Sequence, residues 1–212
     1  MINMLDDYKI VLASASPRRK ELMELAGFEF EIWPSKKEEI ISSEIPSEVC
    51  KELSEQKALD VAASIRTYNE NHSNLVTAQN ILVIGADTIV AIENEILGKP
   101  TDDEDATLML QKLSGRTHSV FTGVSFVFMS KDGRVGKYSF TEETKVTFYQ
   151  LSQKEIESYV MSGDPLDKAG AYGIQTGAAT FVKGIEGDFY NVVGLPIGRL
   201  VHELKEIAGE EL

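Results

Sequence analysis

Two long β-rich runs separated by one short polar turn constrain this chain more than any other feature. THSVFTGVSFVFM spans residues 117–129, VGKYSFTEETKVTFY spans 135–149, and KDGR at 131–134 joins them. Runs of β-branched and aromatic residues around an Asp-Gly turn signal an antiparallel hairpin. Elsewhere short apolar strands alternate with helical stretches, the pattern of parallel strands joined by crossover helices. A hairpin this long rules out a pure βαβ repeat. The expected class is therefore α/β: a mixed, strongly twisted sheet with flanking helices. A single domain over 1–212 is expected, with two lobes around a central cleft and the hairpin mostly in the second lobe.

The remaining elements follow from local signals. KIVLAS (9–14) reads as a buried strand, and Ser16 and Pro17 as N-cap and first residue of a helix that ends near Gly27. FEFEIWP (28–34) alternates like a half-exposed strand. Pro46 and Ser47 open a second helix through Val49, Leu53, Ala58 and Val61, with NENHSN (69–74) as a loop. ILVIGADTIVAI (81–92) reads as a strand, a break at Gly85–Thr88, and a second strand. Asp102–Leu113 is a helix with acidic residues at its start. Ser152–Met161 is another, with Ser152 and Glu155 placed as a capping box. The Gly-rich GDPLDKAGAYGIQTGAA then shows little periodicity, a short strand lies near TFVKGI, and a last helix runs from about Pro196 to Ile207.

The formal net charge of -13 argues against nucleic-acid binding, which depends on Lys and Arg neutralising phosphates. A small phosphorylated ligand stays open, because a basic pocket can sit within an acidic surface. Cys50 is the single cysteine, so no internal disulfide can form. MINMLDDYKI lacks a basic start and apolar core, which predicts no signal peptide. The apolar run broken by Asp87 is too short to span a bilayer. The reading is a soluble, cytoplasmic protein with no membrane partner. His72, His118 and His202 are scattered, so a structural zinc site is not expected and all three are read as surface or half-buried. Trp33, Phe126 and Phe128 are assigned to core or interface.

SASPRRKEL (14–22) places Arg18 and Arg19 in the first turn of a helix, where the dipole disfavours cations. Either both arginines are solvated, or the turn is built for an anion from outside the chain. Small residues at 13–15, outward N–H groups and forked guanidinium donors suit a phosphate. No Walker loop occurs. In GADT (85–88), Asp87 either caps a turn or sits at a strand end facing a cleft, where it can bind a metal or accept a proton from water. Lys57, Lys99 and Lys168 each read singly as solvated charges. Lys168 is the strongest of the three, in a Gly-rich loop beside Asp164 and Asp167. Glu38 and Glu39 either lie in a solvated acidic loop or give a divalent cation a second carboxylate.

Together these stretches resemble the Maf family of nucleotide pyrophosphatases. The likeness runs from LASASPRRKEL through ELSEQKA, VIGADTIV, LGKP, LSGRTHSVFTGV and DPLDKAGAYGIQ to NVVGLPI. The resemblance implies a Maf/ITPase-like fold and hydrolysis of a nucleoside triphosphate between its α and β phosphates, with a divalent cation, Mg²⁺ or Mn²⁺. It places the proton acceptor on Asp87 and base selectivity on Arg18, Thr88 and Gln175. Arg18, where a 7-methyl-GTP branch has tryptophan, points to dTTP and UTP, with CTP and modified pyrimidine nucleotides left open. By motif match Ser14, Arg19, Lys57, Lys99 and Lys168 bind phosphate, and Glu39 with Asp87 holds the metal. A homodimer and a role in house-cleaning of nucleotide pools or in septum arrest are further family expectations. After GIQ the family usually has glycine. Here Thr176 stands first, and a Cβ at a position needing positive φ would shift the loop. The competing readings are a non-catalytic nucleotide-binding regulator and a purine or 7-methyl-GTP pyrophosphatase.

Overall fold

A computed structural model of the chain describes residues 5, 7–71 and 79–209. In chain order its elements are β1 (Tyr8–Leu12), α1 (Pro17–Leu25), β2 (Phe30–Ile32), α2 (Pro46–Asn71), β3 (Asn80–Ile92), β4 (Glu95–Leu97) and α3 (Asp103–Leu113). They continue with β5 (Thr117–Met129), β6 (Val135–Phe148), α4 (Gln153–Val160), three 3₁₀ turns between Asp164 and Phe181, β7 (Val182–Glu186), α5 (Phe189–Val193) and α6 (Ile197–Ala208).

The hairpin forms as expected. β5 and β6 pair antiparallel from Thr117 opposite Thr147 to Met129 opposite Val135, and Gly133 takes the positive φ, 88°, that the turn requires. The sheet order is β2-β1-β3-β5-β6-β7, with β4 added beside β3. β1 runs parallel to both β2 and β3, whereas β3, β5, β6 and β7 are antiparallel neighbours. The sheet is thus mixed, as the pairing of a crossover half with a hairpin half demands.

β3 is apolar on both faces because both are covered. Leu82, Ile84, Ala86, Val90 and Ile92 join the large core with α1, α3, α4 and α6. Ile81 and Val83 pack instead under Ala58, Val61, Ala62 and Ile65 of α2, and Ile89 under Val49 and Leu53. Two glycines set how closely α2 approaches. A Cβ on Gly85 would lie 2.3 Å from the Ser54 carbonyl oxygen, and one on Gly123 2.2 Å from that of Cys50. No larger residue fits there without lifting the helix.

Some expectations need correction. β3 is unbroken through Gly85–Thr88, because β5 pairs with it from Ile81 to Ala91. The 28–34 strand shortens to Phe30–Ile32, since Phe28 turns into the core. α2 continues to Asn71, so the stretch expected as a loop at 69–74 is helical at 69–71, and the rest of it, with His72, lies outside the described residues. His202 is exposed, but His118 is buried. Its Nε2 lies 2.8 Å from the Tyr172 hydroxyl, and burial pushes its pKa down to about 4, so it is neutral. Phe126 is fully buried, while Phe128 and Trp33 are partly buried against the core. Burial pushes the Cys50 thiol up to about 12. Among the described residues, no helix is long and apolar enough to cross a membrane.

Candidate active site

The site begins as a gap in the sheet. β1 stops pairing with β3 at Ile84, and β4 starts again only at Val90. Between them the edge of β3 from Gly85 to Ile89 has no neighbouring strand on that side among the described residues. Asp87 and Thr88 sit in this gap, inside a strand held by β5 along its other edge. Asp87 is therefore neither a turn cap nor a strand end. It is held in mid-strand where one edge lacks a neighbouring strand, and the pairing with β5 fixes its backbone more firmly than a turn would.

Alternation along the strand sends the two side chains to opposite faces. Asp87 shares the face of Gly85 and meets α2, where Lys57 Nζ donates to its Oδ1. The same Nζ lies 2.9 Å from Glu39 Oε1. The close approach allowed by Gly85 and Gly123 brings Lys57 within reach. Asp87 Oδ2 carries no hydrogen bond among the described residues.

Thr88 turns to the other face. Its hydroxyl accepts from Arg19 Nη2 at 3.1 Å and lies 3.0 Å from Thr122 Oγ1 and 3.4 Å from the Gly194 carbonyl oxygen. Arg19 also donates through Nη1 to Ser14 Oγ at 3.1 Å and through Nε to Gly194 O at 2.9 Å. Burial pushes its guanidinium down from the ordinary value, and the Asp87 charge partly opposes this. Arg19 thereby ties the β1–α1 loop to β3 and to the residue that follows α5.

The turn into α1 forms much as read, with Pro17 at the first helical position. Ser16 stands at the N-cap, but its side chain makes no capping bond. Instead Ser14 Oγ accepts from Ser16 N at 3.3 Å. Arg18 Nη1 lies 3.6 Å from Asp167 Oδ2. On the facing wall Lys168 is buried, and its ammonium donates to the Asp164 carbonyl at 2.6 Å, to Asp164 Oδ1 at 3.0 Å and to Asp167 Oδ1 at 2.6 Å. Lys99 and Gln175 line the same cleft, both exposed. Lys99 makes no ion pair with the described residues.

The residues singled out for catalysis, base selectivity and phosphate binding thus converge. Arg18, Arg19, Lys57, Asp87, Thr88 and Lys168 line one cleft with Lys99 and Gln175. Ser14 lines the adjoining recess, and Glu39 joins through Lys57. Glu38 is exposed and stays outside the cluster. Thr176 removes one concern: its φ is −118°, ordinary extended backbone, and the left-handed residues of that loop are Gly163, Gly170 and Ala171. Not foreseen were Thr122 and Gly194. Gly194 acts through its carbonyl, with φ at 126°, and no side chain marks such a role in a sequence.

Two carboxylates on a single ammonium also test the expected metal. Glu39 Oε1 and Asp87 Oδ1 both meet Lys57 Nζ, which puts two carboxylates side by side, and Mg²⁺ needs only one or two carboxylates when substrate phosphates complete its oxygen shell. The donor set fits such an ion. Among the described residues no group of three or more His, Cys, Asp or Glu could hold one without the substrate.

Residues 9–207 match the family described as Maf-like protein. A dTTP/UTP pyrophosphatase from Agathobacter rectalis is 60% identical over 199 residues, which cover 94% of this chain and 97% of the relative. Another dTTP/UTP pyrophosphatase, from Bacillus thuringiensis subsp. konkukian, is 52% identical over 93% of this chain and 95% of its own length. Among solved structures, a HAM1 protein from Coxiella burnetii aligns at 16% identity and a TM-score of 0.45, over 94% of this chain and 99% of that one, a distant likeness.

Proposed function

The chain belongs to the Maf family, and from that membership and the cleft we propose that it is a pyrophosphatase acting on dTTP and UTP. One observation carries the reading. Asp87 stands on an open stretch of strand edge, one oxygen held by Lys57 and the other without a hydrogen bond among the described residues, inside a cleft lined by further cations. A site that only bound phosphates would have no need of that carboxylate.

Its chemistry follows from the groups present. Arg18, Lys99 and Lys168 offset the charge of the polyphosphate tail. Lys57 holds Asp87 in its orientation. Asp87 Oδ2 takes a proton from water while the water oxygen bonds to phosphorus. The bridging P–O bond between the α and β phosphates then breaks, and its electron pair stays on the departing phosphate oxygen. Glu39 and Asp87 would hold a divalent cation, Mg²⁺ or Mn²⁺. Such an ion would neutralise charge on the phosphate oxygens as the bond breaks.

Base selectivity we assign to Arg18, Thr88 and Gln175. The Gln175 amide offers both a donor and an acceptor to a base edge. The Thr88 hydroxyl is already engaged, so it acts through the guanidinium of Arg19 that it holds. Clearing nucleotide pools in the cytoplasm is the role that fits this activity.

The test is pyrophosphate release from a panel of nucleoside triphosphates with Mg²⁺ or Mn²⁺, using wild type and Asp87→Asn. We expect dTTP and UTP to be the best substrates. The variant should lose at least about 100-fold in kcat, the scale of a general base, with its melting temperature retained. Full activity in Asp87→Asn removes Asp87 from the mechanism. Tight nucleotide binding without any release by wild type would make the protein a nucleotide-binding regulator.

A further inference from the structure

We propose that Asp167 selects among anions: its carboxylate holds, between Arg18 and Lys168, the place that a phosphate group of the nucleotide takes on binding. The inference rests on the reading of the cleft as a triphosphate site and deepens it.

The argument is a donor count. An ammonium has three N–H donors. Those of Lys168 go to the Asp164 carbonyl, Asp164 Oδ1 and Asp167 Oδ1, so none is left for a phosphate. One of these partners must leave for Lys168 to bind the tail. Asp164 is anchored, because its Oδ2 also accepts from the Tyr159 and Thr176 hydroxyls. Asp167 has no such anchor and its side chain is 67% exposed. Its second oxygen lies 3.6 Å from Arg18 Nη1, an ion pair too long for a hydrogen bond. Asp167 is therefore the exchangeable partner. It spans two cations on opposite walls of the cleft, Arg18 on α1 and Lys168 in the Gly-rich loop.

An exposed ion pair is worth up to roughly fivefold in an equilibrium. A ligand that displaces Asp167 forfeits about that much for each pair broken. Free phosphate has few other contacts to offset the loss. A triphosphate has several along the tail, with Arg18, Lys99 and the Lys57 cluster all within the cleft. The penalty lowers every anion's affinity by about the same factor, which leaves a weakly held short anion unbound at concentrations where a triphosphate still fills the site. It also favours return of Asp167 once the tail has been cut.

Calorimetric titration with inorganic phosphate, and separately with inorganic pyrophosphate, tests this on the full chain without turnover. Asp167→Asn and Asp167→Ala should each bind inorganic phosphate about 3- to 10-fold tighter than wild type, with the gain shrinking as salt rises. Asp167→Glu, which keeps the charge, should return toward wild type. In the same variants the KM for dTTP should fall by about the same factor as the phosphate constant, and kcat should not rise. Unchanged or weaker phosphate binding in both neutral variants overturns the proposal, leaving Asp167 as a mere organiser of its loop. The two readings fail separately. Loss of tightening with intact pyrophosphate release sinks only the role of Asp167, whereas absent release with clear tightening sinks only the hydrolysis.

Discussion

Two lysines that line the cleft each sit between two carboxylates, yet they are built differently. Lys57 meets Asp87 and Glu39, which lie 30 and 18 positions away along the chain, on β3 and in the segment before α2. Lys168 meets Asp164 and Asp167, four positions and one position away within its own turn. The first cluster exists only if the sheet and α2 pack correctly. The second closes on itself. A cluster held by the global fold can keep a reactive carboxylate in a fixed place, while one held by its own turn can afford an exchangeable member. That difference fits the proposed division between a group doing chemistry and groups managing charge.

Neutralising each lysine in turn should break the comparison most sharply. Lys57→Met leaves Asp87 and Glu39 facing one another with no cation between them, and kcat should fall by about 100-fold as Asp87 loses its orientation. Lys168→Met leaves a half-buried Asp164 without its cation, and should cost about 2–3 kcal/mol of stability and raise KM while kcat falls far less. Steady-state kinetics and urea denaturation on both variants read this out. Matching losses in kcat would mean that the two clusters do the same work.

The same contrast governs what could be read from the residues alone. DPLDK announces a lysine among carboxylates, because its partners are neighbours in the chain. Nothing local joins Lys57 to Asp87, and only the likeness of whole motifs brought them together. The hairpin was legible because two apolar runs and an Asp-Gly turn are local signals. The path of β3 through Gly85–Thr88 is not legible in the residues for a physical reason: Gly and Asp look like turn residues, but here one admits a helix and the other lies where the strand has no neighbour on one side. α5 and β4 are too short for periodicity to show, and the carbonyl of Gly194 leaves no side-chain trace.

Packing offers the next test. In Gly123→Ala the new Cβ would meet the Cys50 carbonyl oxygen at 2.2 Å and Lys51 N at 2.6 Å, both backbone atoms of α2 that cannot rotate away. The helix must lift, at about 1–3 kcal/mol, and Lys57 lifts with it. Stability and kcat should therefore fall together, while the phosphate affinity of the Lys168 turn stays near wild type. Thermal melts and phosphate titration check both halves. Loss of phosphate binding along with activity would show that the two clusters are coupled.

The smallest effect should come from Thr176→Gly, inside the self-closed cluster. The φ of −118° needs no glycine, so the substitution relieves no strain. It removes the Thr176 hydroxyl, which donates to Asp164 Oδ2 and at 2.9 Å to the Gly173 carbonyl, and should cost about 0.5–1.5 kcal/mol. The sign of its pH dependence can be worked out. Burial pushes the Asp164 carboxyl up, but the hydroxyls of Thr176 and Tyr159 and the Lys168 ammonium outweigh it and hold it below the ordinary value of 3.8. Asp164 therefore stabilises the fold fully above about pH 4, and the contribution is lost as pH falls through its lower folded-state value. Without Thr176 that folded value moves up, so the stability gap between variant and wild type should be widest at neutral pH and close below pH 4. Tyr159 and Lys168 still hold Asp164, so dTTP should keep its preference over the other nucleotides. A switch in base preference with no change in the acid limb would place Thr176 in the base pocket rather than in the lysine's cluster.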